Sequence, residues 1–298
     1  MSSPQKGQPN QAWTYAEAFS RNRGLITDEE QQRLRVCRVA IAGMGGIGGI
    51  DLVTLARLGV GKFSIADPDI FETGNTNRQF GAMASTMGRP KAEVMAEIVR
   101  DINPEVDIRV FAEPIGPSNA EEFLAEADLF VDAIEVFEPD ARRHLFQLAR
   151  SNGIYGITAG PVGFSGIWIS FDPHGMSFDT YFDIRDDMEF LEKLVAFAVG
   201  VAPKATQRSY MDLRNLNVAG RRGPSTSLAC QIASGALACE AVKILLRRGK
   251  CRTAPCYHQF DPYVGRFVRG YVFRGNRNPW QLLKRRMLSK ALKKSMQQ

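Results

Sequence analysis

The chain has 298 residues, 44% of them hydrophobic, which is enough to bury one large α/β core, and it carries a net charge of +6. Its five cysteines form no C-x-x-C pair and are odd in number, which argues against a disulfide framework and against a structural zinc site. The longest apolar run, 194–202, is far short of the roughly 20 residues that cross a bilayer, and the first ten residues are polar, so a cytoplasmic enzyme is expected.

Residues 1–35 form an N-terminal arm, in which Thr27 and Glu30 make a capping box for a short helix. The segment 36–42 is a buried strand that runs into Gly43, Gly45, Gly46 and Gly48, and a helix follows at 50–58. A second strand, 62–66, ends at Asp67, nineteen residues past Gly48. This is G-x-G-x-x-G in its proper context of strand, helix and later acid. The glycines let the backbone approach a phosphate, the helix N-terminus offers unpaired N–H groups, and Asp67 accepts from ribose hydroxyls. Further helices are expected at 91–101, 119–127 and 139–151, and strands at 107–111, 129–133, 154–158 and 167–171. Such alternation predicts an α/β, Rossmann-like, mainly parallel sheet with helices on both faces, over 36–172. Residues 173–225 show no clear periodicity and read as an irregular crossover over the active site. The segment 226–275 supplies a small-residue helix and a hairpin that complete the fold.

A glycine loop alone means only a nucleotide or dinucleotide. Asn75, Thr76, Asn77, Arg78 and Gln79, followed by Lys91, narrow it. Hydride transfer develops no charge on a pyrophosphate, whereas displacing pyrophosphate from ATP builds charge that Arg and Lys stabilise. Against this stands a plainer reading of Arg78 and Lys91 as surface charges on a loop and a helix start.

The combination resembles the ThiF-type adenylyltransferases, relatives of the ubiquitin-activating enzymes. The motifs that carry the resemblance are Gly43 to Gly48, the acid pair Asp67 and Asp69, Asn75 to Gln79, Gly88-Arg89-Pro90-Lys91, and Ile102-Asn103-Pro104. Thr76 to Gln79 with Lys91 is most similar to the branch that cyclises threonylcarbamoyladenosine in tRNA. The resemblance implies ATP over the glycine loop, Asp67 on the ribose, Arg78, Gln79 and Lys91 around the phosphates, and Asp69, Asn75, Thr76 and Asn77 shaping the site. A substrate carboxylate would attack the α-phosphate. The resemblance also implies a homodimer in which Arg21, on the arm, completes the partner's site. The acceptor it implies is a ubiquitin-like or sulfur-carrier protein, a peptide, or tRNA. A nicotinamide-dependent dehydrogenase and a non-catalytic adaptor are the alternatives.

Two departures from the family pattern stand out. Where the family has D-x-x-D-N for Mg²⁺, this chain has Asp132-Ala133-Ile134-Glu135-Val136, which leaves Glu135 as the metal ligand or as the start of a helix. No cysteine occurs between 153 and 226, so a thioester step in the crossover is not expected. The charge is also uneven. Residues 262–298 hold ten Lys/Arg and no acid, leaving 28 basic against 32 acidic residues elsewhere. The tail, 276–298, reads as a basic amphipathic helix with Trp280, Leu283, Met287 and Ala291 at helical spacing. It is either a contact for an acidic partner, RNA or anionic lipid, or a docked helix with a basic solvent face.

Overall fold

The computed structural model describes residues 12–212, 220 and 223–296. After α1 (Tyr15–Ala18) and α2 (Asp28–Val36), strands and helices alternate. They run β1 (Arg38–Ala42), α3 (Gly48–Arg57), β2 (Lys62–Ala66), α4 (Lys91–Ile102), β3 (Asp107–Phe111), α5 (Ala120–Leu124), β4 (Leu129–Asp132), α6 (Pro139–Ser151) and β5 (Tyr155–Val162). β6 (Ser165–Phe171) then turns back, and β7 (Cys256–Asp261) and β8 (Arg266–Tyr271) complete one sheet of order β3-β2-β1-β4-β5-β6-β7-β8. Pairing is parallel from β3 to β5 and antiparallel from β5 to β8. This is the α/β, mainly parallel Rossmann-like sheet that the motif order implies.

Strand periodicity divides the core into two layers. Val39 and Ile41 of β1 join Phe63, Leu129 and Ile157 beneath α3, α4 and α9 (Ser227–Leu245). Ala40 and Ala42 face the other way, towards Phe123 of α5 and Leu145 and Phe146 of α6. α9 is apolar and long enough to span a membrane by composition, yet it packs across β5 and β6 as a core helix. The packing is close because a Cβ on Gly166 of β6 would collide with the backbone of Ala233.

The described residues of the 173–225 segment are more regular than their sequence suggests, while 213–219, 221 and 222 lie outside the described residues. It contains α7 (Phe178–Phe182) and α8 (Phe190–Val201). α8 buries Leu194, Val195, Ala196, Phe197, Val199 and Val201, so it is covered on nearly every side and shows no amphipathic period. Part of that cover is α10 (Pro279–Met296), which docks on α8 through Leu288 and Leu292. The helix of the tail therefore belongs to the folded body, with Arg286, Lys290 and Lys293 exposed while Arg285 pairs inward with Asp183.

Candidate active site

β1 lies between β2 and β4, so the chain leaves it in opposite directions and a crevice opens at the carboxyl ends of β1 and β4. Such a switch point is where open α/β sheets bind ligands. The glycine loop after β1 and the Glu135 segment after β4 both reach it. The four motif glycines divide their work. Gly43, at φ +98°, and Gly48 are needed for closure, since a Cβ on Gly43 would strike the Ala133 carbonyl and one on Gly48 the Gly43 carbonyl. Gly45 and Gly46 face the site. A Cβ on Gly45 would stand 3.6 Å from Gln79 Nε2, and one on Gly46 3.6 Å from the Arg78 side chain. No side chain caps α3, which leaves its first N–H groups for an anion.

Asp67 is buried and ties the loop to the second strand. Its carboxylate accepts from the Met44 amide at 2.7 Å and from the Asp69 amide at 2.9 Å. Burial pushes its carboxyl above the ordinary range, opposed by the Lys91 charge and those two amides. Each oxygen keeps a further lone pair, so acceptance from a ribose hydroxyl remains compatible with this geometry. Lys91 opens α4, is only 5% exposed, and holds Asp69 at 2.9 Å.

The 75–79 segment is folded on itself. Asn75 Oδ1 accepts from the Glu72 amide, and the Gln79 amide donates to the Asn75 carbonyl, so Asn75 organises the turn. Thr76 is exposed, and Asn77 Nδ2 donates to the Ser225 carbonyl at 2.9 Å, joining this segment to the chain entering α9. Arg78 Nη1 donates to Gly74 O and Asn77 Oδ1, both at 2.9 Å. Gln79 is buried, and its Oε1 has no hydrogen-bond partner among the described residues. An orphaned acceptor beside a bare glycine loop fits a nucleotide that brings donors of its own. A groove of about 640 Å³ runs from Asn77, Arg78 and Gln79 along Ile50, Thr54 and Arg57 of α3 to Gly235 of α9.

Two expected residues stand apart from this cluster. Glu135 is exposed beyond β4, while Asp132 is buried and paired with Arg142 at 2.7 Å. The first acid of the expected metal pattern is thus committed to an ion pair. No cluster of three His, Cys, Asp or Glu side chains suited to a metal occurs among the described residues. Glu135 alone fits a Mg²⁺ that takes its remaining ligands from phosphate oxygens and water. Arg21 is exposed on an arm fixed to the far end of α3, where Tyr15 Oη donates to Gly59 O at 2.6 Å and Asn22 Nδ2 to Leu58 O at 3.1 Å. Ten helical residues, about 15 Å, separate that end from the glycine loop, so the arm carrying Arg21 lies away from the loop of its own chain.

A family model described as the ThiF family matches residues 19–278. The chain belongs to the ThiF family. A tRNA threonylcarbamoyladenosine dehydratase of Haemophilus influenzae is 35% identical over 150 residues, 50% of this chain and 57% of that protein. A SAMP-activating enzyme E1 of Haloferax volcanii is 32% identical over 166 residues, 54% of this chain and 60% of that protein. The crystal structure of PaaA superposes with a TM-score of 0.66 at 17% identity, covering 92% of this chain and 78% of that one, and shows the same fold. The chain thus matches little more than half the length of these curated relatives.

Two features of this ThiF-family site were not foreseen from the sequence. Cys230, in the first turn of α9, lies under the loop, 3.1 Å from where a Gly46 Cβ would be; burial pushes its thiol up to about 11, which makes it a poor nucleophile. Asp51, one turn into α3, is fully buried, and both its oxygens lack partners among the described residues. Burial raises its pKa to about 7. The native state therefore holds a proton here that the unfolded chain gives up near pH 4, and stability is lost as pH rises from there to about 7. Asp51→Asn should stabilise the protein at pH 8, by about 4 kcal/mol at most, and leave it nearly unchanged at pH 4. Denaturant titrations of both proteins at the two pH values check this; an equal effect at both would contradict it.

Proposed function

We propose that the chain is an ATP-dependent adenylyltransferase that activates a substrate carboxylate as an acyl-adenylate and releases pyrophosphate. The observation that carries this reading is the convergence of Arg78 and Gln79 on Gly45 and Gly46, with Lys91 buried at the start of α4. In this reading the carboxylate oxygen attacks the α-phosphorus while the bond to the pyrophosphate oxygen breaks. Negative charge moves onto the departing phosphates, where Arg78 donates and Lys91 exchanges Asp69 for a phosphate oxygen. Asp67 holds the ribose, Asp69 holds Lys91 until the phosphates arrive, and Asn75, Thr76 and Asn77 keep the Arg78 turn in place. Bound Mg²⁺, held through Glu135, would neutralise phosphate charge. A nicotinamide cofactor needs none of these cations; tighter equilibrium binding of NAD than of ATP would overturn this reading.

We take the acceptor to be the carboxylate of a carrier protein or peptide, in a cytoplasmic setting. Dehydration of threonylcarbamoyladenosine in tRNA is a second reading, favoured by the name of the Haemophilus relative, and it also begins by activating a carboxylate. ATP-dependent release of pyrophosphate with tRNA against release with small carrier proteins separates the two.

We also place the enzyme in a homodimer, with the partner's arm entering the groove beside α3 and α9. α9 supports this with an exposed face of Leu228, Gln231, Gly235 and Cys239. Arg21→Ala and Lys91→Ala should each be inactive alone. Mixed dimers should regain part of the activity, since one hybrid site then has both groups. No recovery in mixed dimers proven by mass spectrometry would place Arg21 outside the site.

A further inference from the structure

α10 divides into three sectors at helical spacing. One faces the fold: Gln281 is buried and donates to the Val199 carbonyl at 3.3 Å, Arg285 holds Asp183 at 2.8 Å, and Leu292 packs against α8. A second sector carries Trp280, Leu283 and Met287, which are 72%, 47% and 58% exposed. The third carries Arg286, Lys290 and Lys293, all exposed. Positions i, i+3 and i+7 share one helix face, so the apolar ridge lies between the docked side and the basic flank. Asn278 caps the helix, its Oδ1 accepting from the Trp280 amide at 3.0 Å, and its Nδ2 reaches the carbonyl of exposed Phe273.

The docking of α10 does not use this ridge, and the catalytic reading does not use it either. We propose that α10 is a contact for an anionic bilayer surface, with Trp280, Leu283 and Met287 entering the boundary between headgroups and acyl chains and Arg286, Lys290 and Lys293 lying among the lipid phosphates. Charge complementarity supports this partner, since exposed Arg286, Lys290 and Lys293 flank the ridge and no acid lies in residues 262–298. RNA fits less well. Leu283 and Met287 have no face on which a base stacks, and phosphates would recruit the cations alone. A grooved acidic protein would need a seat shaped to a convex ridge, whereas a bilayer needs none. The proposal is independent of the adenylation chemistry.

The test is co-sedimentation of the full chain with phosphatidylglycerol–phosphatidylcholine vesicles, with phosphatidylcholine vesicles and tRNA as separate arms. The expected result is binding to the anionic vesicles alone, weakened by salt. L283E/M287E should lower the bound fraction by roughly 10-fold or more at an unchanged melting temperature, since both residues are exposed. R286E/K290E should lower it as well. No sedimentation, equal binding to neutral vesicles, or no effect of L283E/M287E would overturn the proposal. So would tRNA binding that is lost in R286E/K290E and kept in L283E/M287E, which would assign the surface to RNA.

Discussion

Arg78→Ala and Lys91→Ala should each lower acyl-adenylate formation by ~10²-fold or more, with a much smaller loss of ATP affinity. The difference follows from when the charge appears. In the proposed reading, ground-state ATP is already anionic and is held by the glycine loop, the α3 N-terminus and Asp67. The additional charge on the departing pyrophosphate exists only during reaction, and Arg78 and Lys91 are the cations beside it. Lys91 has a further constraint, since its ammonium is almost enclosed and held by Asp69 at 2.9 Å. Removing it leaves Asp69 uncompensated next to incoming phosphates. Pyrophosphate exchange against equilibrium ATP binding separates the two quantities. Unchanged exchange in both variants would remove these residues from the chemistry.

Arg142→Ala should cost about 3–5 kcal/mol of stability. Arg142 is 3% exposed and Asp132 1%, and their ion pair is 2.7 Å long. The guanidinium also donates to the Ile134 and Glu135 carbonyls and lies 4.2 Å from the centre of the Phe197 ring. Without it, Asp132 keeps only the Ile134 amide among the described residues, a buried charge with too little compensation. Those two carbonyls belong to the segment that presents Glu135, so adenylation should fall along with stability. Replacing both partners, as Asp132→Asn with Arg142→Met, should cost less than Arg142→Ala alone, because no charge is stranded. Chemical denaturation of the three variants measures this. A double variant less stable than Arg142→Ala would contradict the ion-pair account.

What was legible in the sequence was what carries its own context. The strand before Gly43, the helix after Gly48 and the acid at Asp67 each confirm the others. The approach of Arg78 and Gln79 to Gly45 and Gly46 was readable from their order after the glycine loop and Asp67. α8 was not legible, because a helix covered on nearly every side loses the period that marks one. Asp132 was hidden for a different reason. Its place in a metal-like pattern masked a partner ten residues on, and only the packing of α6 on the sheet brings Arg142 to it. Asp51 reads as an ordinary acid in the first turn of a helix. Its burial comes from α9, which closes over α3 from far along the chain. For α10, helical spacing correctly placed Trp280, Leu283 and Met287 on one face. That this face points outward follows from Arg285 and Asp183, a pairing that no local pattern shows.

The account rests on where ATP is cut. Products should be measured after incubating the protein with ATP labelled at the α- and γ-phosphates and with lysate fractions supplying carrier proteins, peptides or tRNA. The account predicts cleavage between the α- and β-phosphates, yielding pyrophosphate and an AMP-linked acyl species or free AMP, and loss of both in Lys91→Ala. Release of ADP and orthophosphate, or no α–β cleavage with any fraction, would contradict it.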